Sequence, residues 1–394
     1  MISKLRFKNF YSFADETLID FTLGKKPTPS GFDIELDGAR LNKAIAVVGA
    51  NGSGKTQFIK PLAFLSWFVC DSFLTTTPDD PVIYYPHLLK ADDDTELELD
   101  FILDGTEHRY QLVINRREVV SESLFARTSS QFSYLFKREK KGETFSFRQK
   151  GFPFPKSPAE SLRTNTSLIA AAHSYDIKEA RPFIEFFRAI RTNVASSGRR
   201  HFEHSAVIQA AERLNKEPEI MRRMEEVLQE FDLGLTGVSL EKLESTTEEG
   251  KKESFHMPFG AHQASSGESF TLPFFEESSG TQSAFVLLER VLKVLHHGGI
   301  AVIDELDNDL HPLLIPVMLD WFRFEHTNPH RAQIIFTCHT PEVLNRLQKH
   351  QVYLCEKCDQ CSEAWRLDEM TGLRADDNLY AKYMAGALGA VPEV

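Results

Sequence analysis

The sequence lacks several features that would assign it to a class at once. No run of eighteen or more apolar residues occurs in its 394 residues, so we predict no membrane-spanning segment. The first residues, MISKLRFKNF, become polar too early for a secretory signal peptide. Only five cysteines occur, unevenly spaced, which is typical of a protein in the reducing cytoplasm. Lysine and arginine are fewer than aspartate and glutamate, and the net charge is −12. This charge argues against adhesion of the whole surface to DNA, although a local basic face is compatible with such a net charge.

What the sequence does have is the stretch GANGSGKT, from Gly49 to Thr56. The apolar run 44–48 before it predicts a buried strand, and residues 57–69 after it predict a helix. A strand, a glycine-rich loop and a helix in this order are the context of a phosphate-binding loop. The N–H groups of such a loop attract phosphate, Lys55 would reach the β- and γ-phosphates, and the Thr56 hydroxyl would hold Mg²⁺. The residues predicted to bind nucleotide are Gly49, Asn51, Gly52, Ser53, Gly54, Lys55 and Thr56.

A second group of candidate residues follows two later apolar runs. Residues 300–303 predict a strand that ends in Asp304 and Glu305. Asp304 is predicted to hold Mg²⁺ through water, and Glu305 to act as the general base that polarises the attacking water. Residues 333–337 predict another strand, and His339 just beyond it would contact the γ-phosphate and hold that water. The predicted catalytic residues are Lys55, Glu305 and His339, and the predicted metal-site residues are Thr56 and Asp304.

Periodicity divides the chain into three stretches. Residues 1–150 are predicted to be β-rich, because short segments alternate apolar and polar side chains. Residues 151–253 are predicted to form a helical insertion that ends in a mobile charged segment, 246–253. Residues 254–394 are predicted to alternate strands and helices around a parallel sheet. The strands predicted in the first stretch cover 2–21, 96–103, 108–115 and 133–137. The helices predicted later in the chain cover 167–172, 177–190, 206–214, 219–231, 281–296, 313–324 and 341–348.

Three of the cysteines fall in one short segment. Cys355, Cys358 and Cys361 form a C-x-x-C-x-x-C pattern within 352–366, which predicts a hairpin with the cysteines at its turn. Such spacing is compatible with Zn²⁺ or an iron–sulfur cluster. A structural zinc site needs a fourth ligand, which would come from a histidine or a partner chain. Free thiols are the favoured alternative.

Basic residues cluster at three places in the sequence. These clusters are candidate contacts for nucleic acid or for an acidic partner. The alternative, which the acidic neighbours and the net charge favour, is that each belongs to a solvated surface. The clusters are Lys137, Arg138, Lys140 and Lys141; Arg199, Arg200 and His201; and Arg222 and Arg223.

The order of four motifs carries a resemblance to a known family. The motifs are GANGSGKT, ESSGTQ, AVIDELDNDLHP and IIFTCHT. In this order they resemble the ABC-type ATPase heads of the SMC and RecF kind. They are more closely similar to the compact prokaryotic ATPases of the AAA-15/AAA-21 group, which are related to overcoming-lysogenization-defect ATPases and to ATPase subunits of anti-phage systems such as PARIS. The resemblance implies an α/β fold: an ABC-type head with a β-rich N-terminal lobe, a parallel-sheet C-terminal lobe and a helical insertion.

The resemblance also implies roles for particular residues. Ser279 and Gly280 match the ABC signature and would contact the γ-phosphate held by a second subunit. Asp304 and Glu305 match the Walker B pair, and His339 matches the switch histidine. Two copies would therefore sandwich two ATP molecules as a homodimer, with a higher homo-oligomer also possible. The glutamine expected near residues 84–90 is absent, which leaves the coupling between nucleotide and the β-rich lobe open.

The function implied by the resemblance is Mg²⁺-dependent ATP hydrolysis by a cytoplasmic protein. Within the group, the favoured role is the sensor or scaffold of a two-component anti-phage system that controls a separate effector such as a nuclease. The chain is expected to leave no room for a nuclease domain after its C-terminal hairpin. One alternative is a DNA-repair ATPase that clamps DNA directly, which a basic groove would favour. The other is an ATP-bound scaffold that does not hydrolyse, which intact Glu305 and His339 disfavour.

Overall fold

The structure is a computed structural model of the chain, and it describes residues 1–24, 27–36, 39–200, 203–231, 234–246 and 252–391. Its strands are Ile2–Lys8 (β1), Thr17–Asp20 (β2), Thr22–Leu23 (β3), Asp33–Leu36 (β4), Ala39–Asn42 (β5), Ala44–Val48 (β6), Thr95–Leu103 (β7), Thr106–Ile114 (β8), Val119–Arg127 (β9), Ser133–Lys141 (β10), Thr144–Gln149 (β11), Ile190–Thr192 (β12), Val194–Ala195 (β13), Gly198–Arg199 (β14), Gly237–Thr246 (β15), Lys252–Gln263 (β16), Ser269–Pro273 (β17), Ile300–Ile303 (β18), Gln333–Thr337 (β19), Val352–Cys358 (β20) and Cys361–Arg366 (β21). Its α-helices are Lys55–Thr75 (α1), Lys156–Glu160 (α2), Leu168–Ser174 (α3), Arg181–Arg188 (α4), His204–Asn215 (α5), Pro218–Glu230 (α6), Ser279–His297 (α7), Leu306–Asp309 (α8), Ile315–Arg323 (α9) and Leu379–Met384 (α10).

Strands from the first 150 residues form one antiparallel sheet of seven strands. Their order is β11-β10-β9-β8-β7-β1-β2. Side chains alternate between a buried and a more exposed face, and the buried face packs on α1, α3 and α4. Phe101 of β7, for example, stacks on Phe186 of α4 with ring centroids 4.3 Å apart. The four strand predictions in this region are confirmed, whereas β9 and β11 were missed. In β9 a buried charge, Glu122, interrupts the apolar alternation.

A second sheet of six strands lies at the centre of the fold, in the order β12-β18-β19-β6-β20-β21. Its first five strands are parallel, and β21 is antiparallel to β20. Every residue of β6, β18 and β19 is buried, because helices cover both faces. Alternate residues serve different cores: Ile45 and Val47 pack with α1, while Ala44 and Ala46 pack with α7 and α9. The predicted α/β fold class is confirmed.

Two predicted helices are wrong in extent. Within residues 341–348 the structure has a single 3₁₀ turn, Pro341–Asn345, in place of the predicted α-helix. In the segment 177–190, only Arg181–Arg188 is α-helical, and Ile190 instead opens β12, where it pairs in parallel with Ile300 of β18. A strand of the central sheet therefore lies within the predicted helical insertion, and the boundaries at 150 and 253 stay a prediction. Most of the predicted mobile segment lies outside the described residues.

Helix α1 is, within the described part of the chain, the one helix long and apolar enough to cross a membrane by length and composition. However, 67% of its most apolar window is buried inside the fold. It begins with Lys55 and Thr56, directly after the phosphate-loop motif, and packs between the two large sheets. Its apolar composition is therefore explained by its place in the core.

Candidate nucleotide-binding site

Four neighbouring parallel strands of the central sheet end at the same edge. Because they run in one direction, the residues that follow β12, β18, β19 and β6 meet there. Asn193 follows β12, Asp304 and Glu305 follow β18, and His339 lies two residues beyond β19. The loop 49–54 follows β6. The topology therefore places most of the predicted site residues along one edge, although they are far apart in the sequence.

The glycines of the loop are required by a close neighbour, the β20–β21 hairpin. A Cβ atom on Gly49 would lie 2.2 Å from the carbonyl oxygen of Cys355 in β20. Gly54 precedes α1 in the left-handed conformation, with φ of 109°, and a Cβ atom there would lie 2.3 Å from Oγ of Ser362. The hairpin thus packs against the loop from one side. The motif alone does not predict this contact.

The ammonium group of Lys55 is held in place by carbonyl groups of the phosphate loop. Nζ of Lys55 donates hydrogen bonds to the carbonyls of Gly49 at 2.9 Å and Ala50 at 3.0 Å. Burial lowers the pKa of Lys55, and nearby acidic groups, Asp304 among them, oppose that shift. The loop therefore presents a partly desolvated positive charge, which attracts phosphate more strongly than a fully hydrated one would.

Asp304 joins the phosphate loop to the central strands. Its Oδ2 accepts a hydrogen bond from the Thr56 hydroxyl at 2.8 Å, and its Oδ1 accepts one from the Thr337 hydroxyl at 2.7 Å. Burial raises the pKa of this carboxyl, and the two hydrogen bonds lower it in part. The loop and the strand end are thus in direct contact in this structure.

The oxygen atoms at this contact fit Mg²⁺. Hydroxyl and carboxylate oxygens are the ligands that Mg²⁺ takes in proteins, and Thr56 and Asp304 supply one of each. Two further buried oxygens beside them, Oγ of Ser53 and Oε1 of Gln57, have no hydrogen-bond partner among the described residues. A divalent cation here would also favour the charged form of the carboxyl, which burial disfavours.

Glu305 adopts an unusual backbone conformation that directs its carboxylate toward the edge. Its φ of 50° and ψ of 58° are left-handed, which costs a non-glycine residue about 1–2 kcal/mol. The Thr337 hydroxyl accepts a hydrogen bond from its N–H at 2.7 Å. Its Oε2 accepts a hydrogen bond from Asn308 at 2.6 Å, and its Oε1 lies 3.7 Å from Nε2 of His339. The carboxylate is 30% exposed, so water can reach it.

Two further charged residues organise the site and were missed as such by the sequence analysis. Arg199 of β14 lies 3.4 Å from Oε2 of Glu305 and donates to Asp309 at 2.7 Å. Asp307 accepts hydrogen bonds at 2.9 Å from the N–H groups of His339 and Thr340. Helix α8 is therefore tied both to the segment after β12 and to the turn after β19.

Asn193 is a third residue that the sequence analysis missed. It is buried, its Nδ2 donates to the carbonyl of Asp304 at 2.9 Å, and its Oδ1 accepts from the N–H of Asp304 at 2.8 Å. An amide side chain was expected near 84–90, but that segment precedes β7, and Tyr84 is a core residue stacked on Phe10. The signal was hidden because the helix predicted over 177–190 runs into the first residue of β12, and no strand was predicted after it.

Ser279 and Gly280 lie apart from the phosphate loop of their own chain. They begin α7 and are exposed, and Ser278 caps the helix by accepting a hydrogen bond from the N–H of Thr281 at 3.1 Å. Among the described residues, no hydrogen bond joins them to 49–56. An exposed helix N-terminus of this kind is free to meet a phosphate from outside the chain.

The cysteine triplet does not assemble a metal site. Cys358 and Cys361 are paired directly across the β20–β21 turn, as the predicted hairpin requires, but Cys355 is fully buried inside β20. Burial raises the pKa of the Cys355 thiol. No group of three or more metal-binding side chains suited to an ion occurs in the described residues, so the zinc prediction has no support here. The zinc alternative gains no support because Cys355 and Cys358, three residues apart on one strand, lie on opposite faces of the hairpin.

The basic clusters separate into different environments. Arg138 is fully buried and forms an ion pair with Glu122, so it is not a surface contact. Lys140 pairs with Glu118 at 2.8 Å. Arg199 belongs to the site above, and Arg223 pairs with Glu226 at 2.9 Å. His201 lies outside the described residues. The clusters therefore do not add up to one basic face.

A phosphate-binding loop, a carboxylate pair and a histidine at the carboxyl edge of a parallel sheet define a P-loop nucleotide-binding domain. The chain belongs to the AAA_21 family, described as "AAA domain, putative AbiEii toxin, Type IV TA system", whose family model matches residues 44–345. This membership confirms the resemblance to the AAA-21 group.

Other comparisons give fold-level likeness. No curated protein matches the chain with statistical significance. Similar solved structures include an SmcHead bound to the C-winged helix domain of ScpA, with 13% identity, a TM-score of 0.45, and coverage of 93% of this chain and 98% of that chain. Another is an Smc head domain with an extended coiled coil bound to the C-terminal domain of ScpA, derived from Pyrococcus furiosus, with 13% identity, a TM-score of 0.43, and coverage of 93% and 97%.

Proposed function

We propose that this protein binds ATP with Mg²⁺ and hydrolyses it to ADP and phosphate. The observation that carries the proposal is the contact between the Thr56 hydroxyl and Asp304, which brings the phosphate loop to the strand end that bears Glu305. The N–H groups of 49–54 and the ammonium of Lys55 would hold the phosphates. Mg²⁺, held by Thr56 and Asp304, would neutralise charge on the β- and γ-phosphates.

In the proposed reaction, the oxygen of a water molecule attacks the γ-phosphorus, and the bond from that phosphorus to the β,γ-bridging oxygen breaks. Glu305 accepts a proton from the water and so acts as the general base. His339, 3.7 Å from that carboxylate, would hold the water and the γ-phosphate in line. Arg199 and Asn308 contact the other oxygen of the carboxylate and would keep it oriented.

The complete site is proposed to form between two copies of the chain. Ser279 and Gly280 are exposed at the start of α7 and have no hydrogen bond to the phosphate loop of their own chain in the described residues. In a two-fold dimer each copy would offer this helix N-terminus to the γ-phosphate bound by the other. ATP would then join the two copies, and its hydrolysis would release them.

A complementation experiment tests the shared site. Ser279→Arg is expected to abolish ATP-dependent dimerisation and turnover while ATP binding to the monomer persists, because a guanidinium blocks the interface but not the loop. Lys55→Ala is expected to abolish binding. An equimolar mixture of the two variants should recover up to about half of the wild-type rate, because only mixed dimers can form and each mixed dimer has one intact site of two.

The control for this experiment is Ser130→Arg, a change of the same size at an exposed serine in the loop between β9 and β10. It should leave dimerisation and rate unchanged. A mixture that stays inactive, or a Ser279→Arg variant that hydrolyses ATP normally, would overturn the shared site. Sedimentation velocity with and without ATP and phosphate release provide the two readouts.

We further propose that the ATPase cycle controls a separate effector protein, such as a nuclease, in a cytoplasmic anti-phage system. The support is the family: the description of AAA_21 includes a toxin of a type IV toxin–antitoxin system, which is a growth-arresting function. The dispersal of the basic clusters argues against the alternative in which the protein itself clamps DNA along a basic groove.

Co-purification tests the effector. Tagged protein carrying Glu305→Gln, expressed from its native locus, should retain a second protein in a fixed ratio when ATP is present. Lys55→Ala, which should not bind ATP, is the matched control and should lose that protein. Mass spectrometry identifies what is retained. Retention of DNA without a second protein would contradict the effector proposal and favour a DNA clamp.

A further inference from the structure

A cavity of about 480 Å³ lies beside α1, away from the phosphate loop. Its walls come from α1, β12, α5 and α7 and from the segment around β13. Lys60 of α1 lies at one end, and Asp71, eleven residues further along the same helix, lies at the other. At 1.5 Å per residue, Asp71 is roughly 24 Å along the helix from Lys55, so the Asp71 end of this cavity is outside reach of a nucleotide bound at the loop.

The cavity collects positive charge in a protein whose net charge is −12. Its charged lining consists of six cationic side chains and two carboxylates. The cationic residues are Lys60, Arg188, Arg191, Arg200, Arg213 and Arg290, and the acidic ones are Asp71 and Glu289. Such an excess on one concave surface is more than a solvated face requires.

The two carboxylates offset only part of this charge. Glu289 is occupied by Arg213, which donates to both of its oxygens at 2.7 and 2.9 Å. Arg191 and Arg290 have neither a hydrogen bond from the guanidinium nor an ion pair within 4 Å in the described part of the chain. Burial lowers the pKa of both, the carboxylate of Glu289 opposes that shift, and the nearby positive charge of Arg213 adds to it. Unpaired guanidinium groups in a partly desolvated pocket favour an anion.

The cavity also has an aromatic side. Trp67 is partly exposed on the same face of α1. Nζ of Lys60 lies 3.8 Å from the ring centroid of Tyr11 and donates to the carbonyl of Ser196 at 3.2 Å. Aromatic and apolar walls with a few convergent charges are typical of small-molecule sites, and the volume is within the usual range of about 300–1,000 Å³.

We propose that this cavity is a second anion site that binds a small polyphosphate, separate from the phosphate loop. Arg191 and Arg290 would bind the phosphate oxygens, and Lys60 would add charge at the end nearer the loop. A nucleoside polyphosphate and an inorganic polyphosphate share this chemistry. They differ in the base, which Trp67 would stack against only in the first case.

The test uses a full-length chain carrying Lys55→Ala, so that binding at the phosphate loop is removed and hydrolysis has no part in the result. Calorimetric titration with inorganic tripolyphosphate, supported by Trp67 fluorescence, should show one equivalent bound. Adding Arg191→Gln and Arg290→Gln should weaken binding by at least about tenfold, because two charge-assisted contacts are lost. The melting temperature of this variant should not fall, because the change relieves repulsion between like charges.

The control removes two exposed guanidinium groups elsewhere, with Arg222→Gln and Arg346→Gln in the same Lys55→Ala chain. Its affinity should stay within about twofold of the parent, since distant surface charges are screened by salt. Equal weakening in the control, or no binding by the parent at millimolar tripolyphosphate, would overturn the proposal.

A comparison of ATP with tripolyphosphate identifies the ligand. If ATP binds more tightly than tripolyphosphate, and Trp67→Ala removes the difference in affinity, the ligand is a nucleotide. Equal binding identifies the inorganic chain.

Discussion

Replacing Glu305 by glutamine is expected to lower the rate of ATP hydrolysis by about 10²–10⁴-fold, the range that a general base contributes. Glutamine keeps the shape of the side chain and its hydrogen bond with Asn308, but it cannot accept a proton from water. ATP affinity should be preserved, because the phosphate loop, Thr56 and Asp304 do not depend on this carboxylate. Phosphate release under steady-state conditions and calorimetric titration of ATP measure the two quantities separately.

The matched control is Glu342→Gln, an exposed carboxylate just beyond the histidine turn. It should hydrolyse ATP at the normal rate. An unchanged rate in Glu305→Gln would mean that another group accepts the proton. A wild-type chain that binds ATP without measurable turnover would instead favour the non-hydrolysing scaffold, and the Glu305 variant would then make no difference.

Replacing Arg138 by methionine is expected to lower the free energy of unfolding by about 3–5 kcal/mol, the cost of leaving a buried charge without its partner. Arg138 and Glu122 are both fully buried. The carboxylate of Glu122 accepts hydrogen bonds from Nε of Arg138 at 2.8 Å, from the Tyr110 hydroxyl at 2.8 Å and from the Ser167 hydroxyl at 2.9 Å. This network ties the start of α3 to the seven-stranded sheet.

Urea unfolding with a common m-value measures the effect. Lys141→Met is the control, because Lys141 is an exposed lysine at the end of the same strand and cluster, and surface changes usually stay within about 0.5 kcal/mol. Glu122→Gln together with Arg138→Met should recover a large part of the loss, because no uncompensated charge then remains. Equal losses in Arg138→Met and Lys141→Met would show that the buried pair is not what holds this sheet to α3.

Both predictions concern charges whose neighbours are distant in the sequence. Glu305 is oriented by Arg199, more than a hundred residues before it. Arg138 is held by Glu122 of β9, whose carboxylate also accepts hydrogen bonds from β8 and from the residue before α3. The sequence of a charge run such as 137–141 does not show whether its side chains are solvated or buried. The strand position decides between the two, because alternate side chains face opposite sides of a sheet.

Local features of this protein could be predicted from the sequence alone. The run from Gly49 to Thr56 predicts its own loop and helix start, because phosphate binding needs consecutive N–H groups and small residues. Buried parallel strands such as β6 and β19 are evident because sheets covered on both faces leave unbroken apolar runs. The order of the motifs was enough to indicate the family, and the match of the family model over residues 44–345 confirms it.

Which segments meet at the edge of the central sheet is evident only from the folded chain. Asn193 reaches Asp304 because β12 adds to that sheet, although its sequence continues a helical pattern. The glycines of the loop are enclosed by Cys355 and Ser362, about three hundred residues away, because β20 pairs with β6. Strand neighbours depend on pairing between distant segments, for which a single sequence carries no local signal. The same reason hid the cationic cavity beside α1, whose walls come from several elements that are far apart in the sequence.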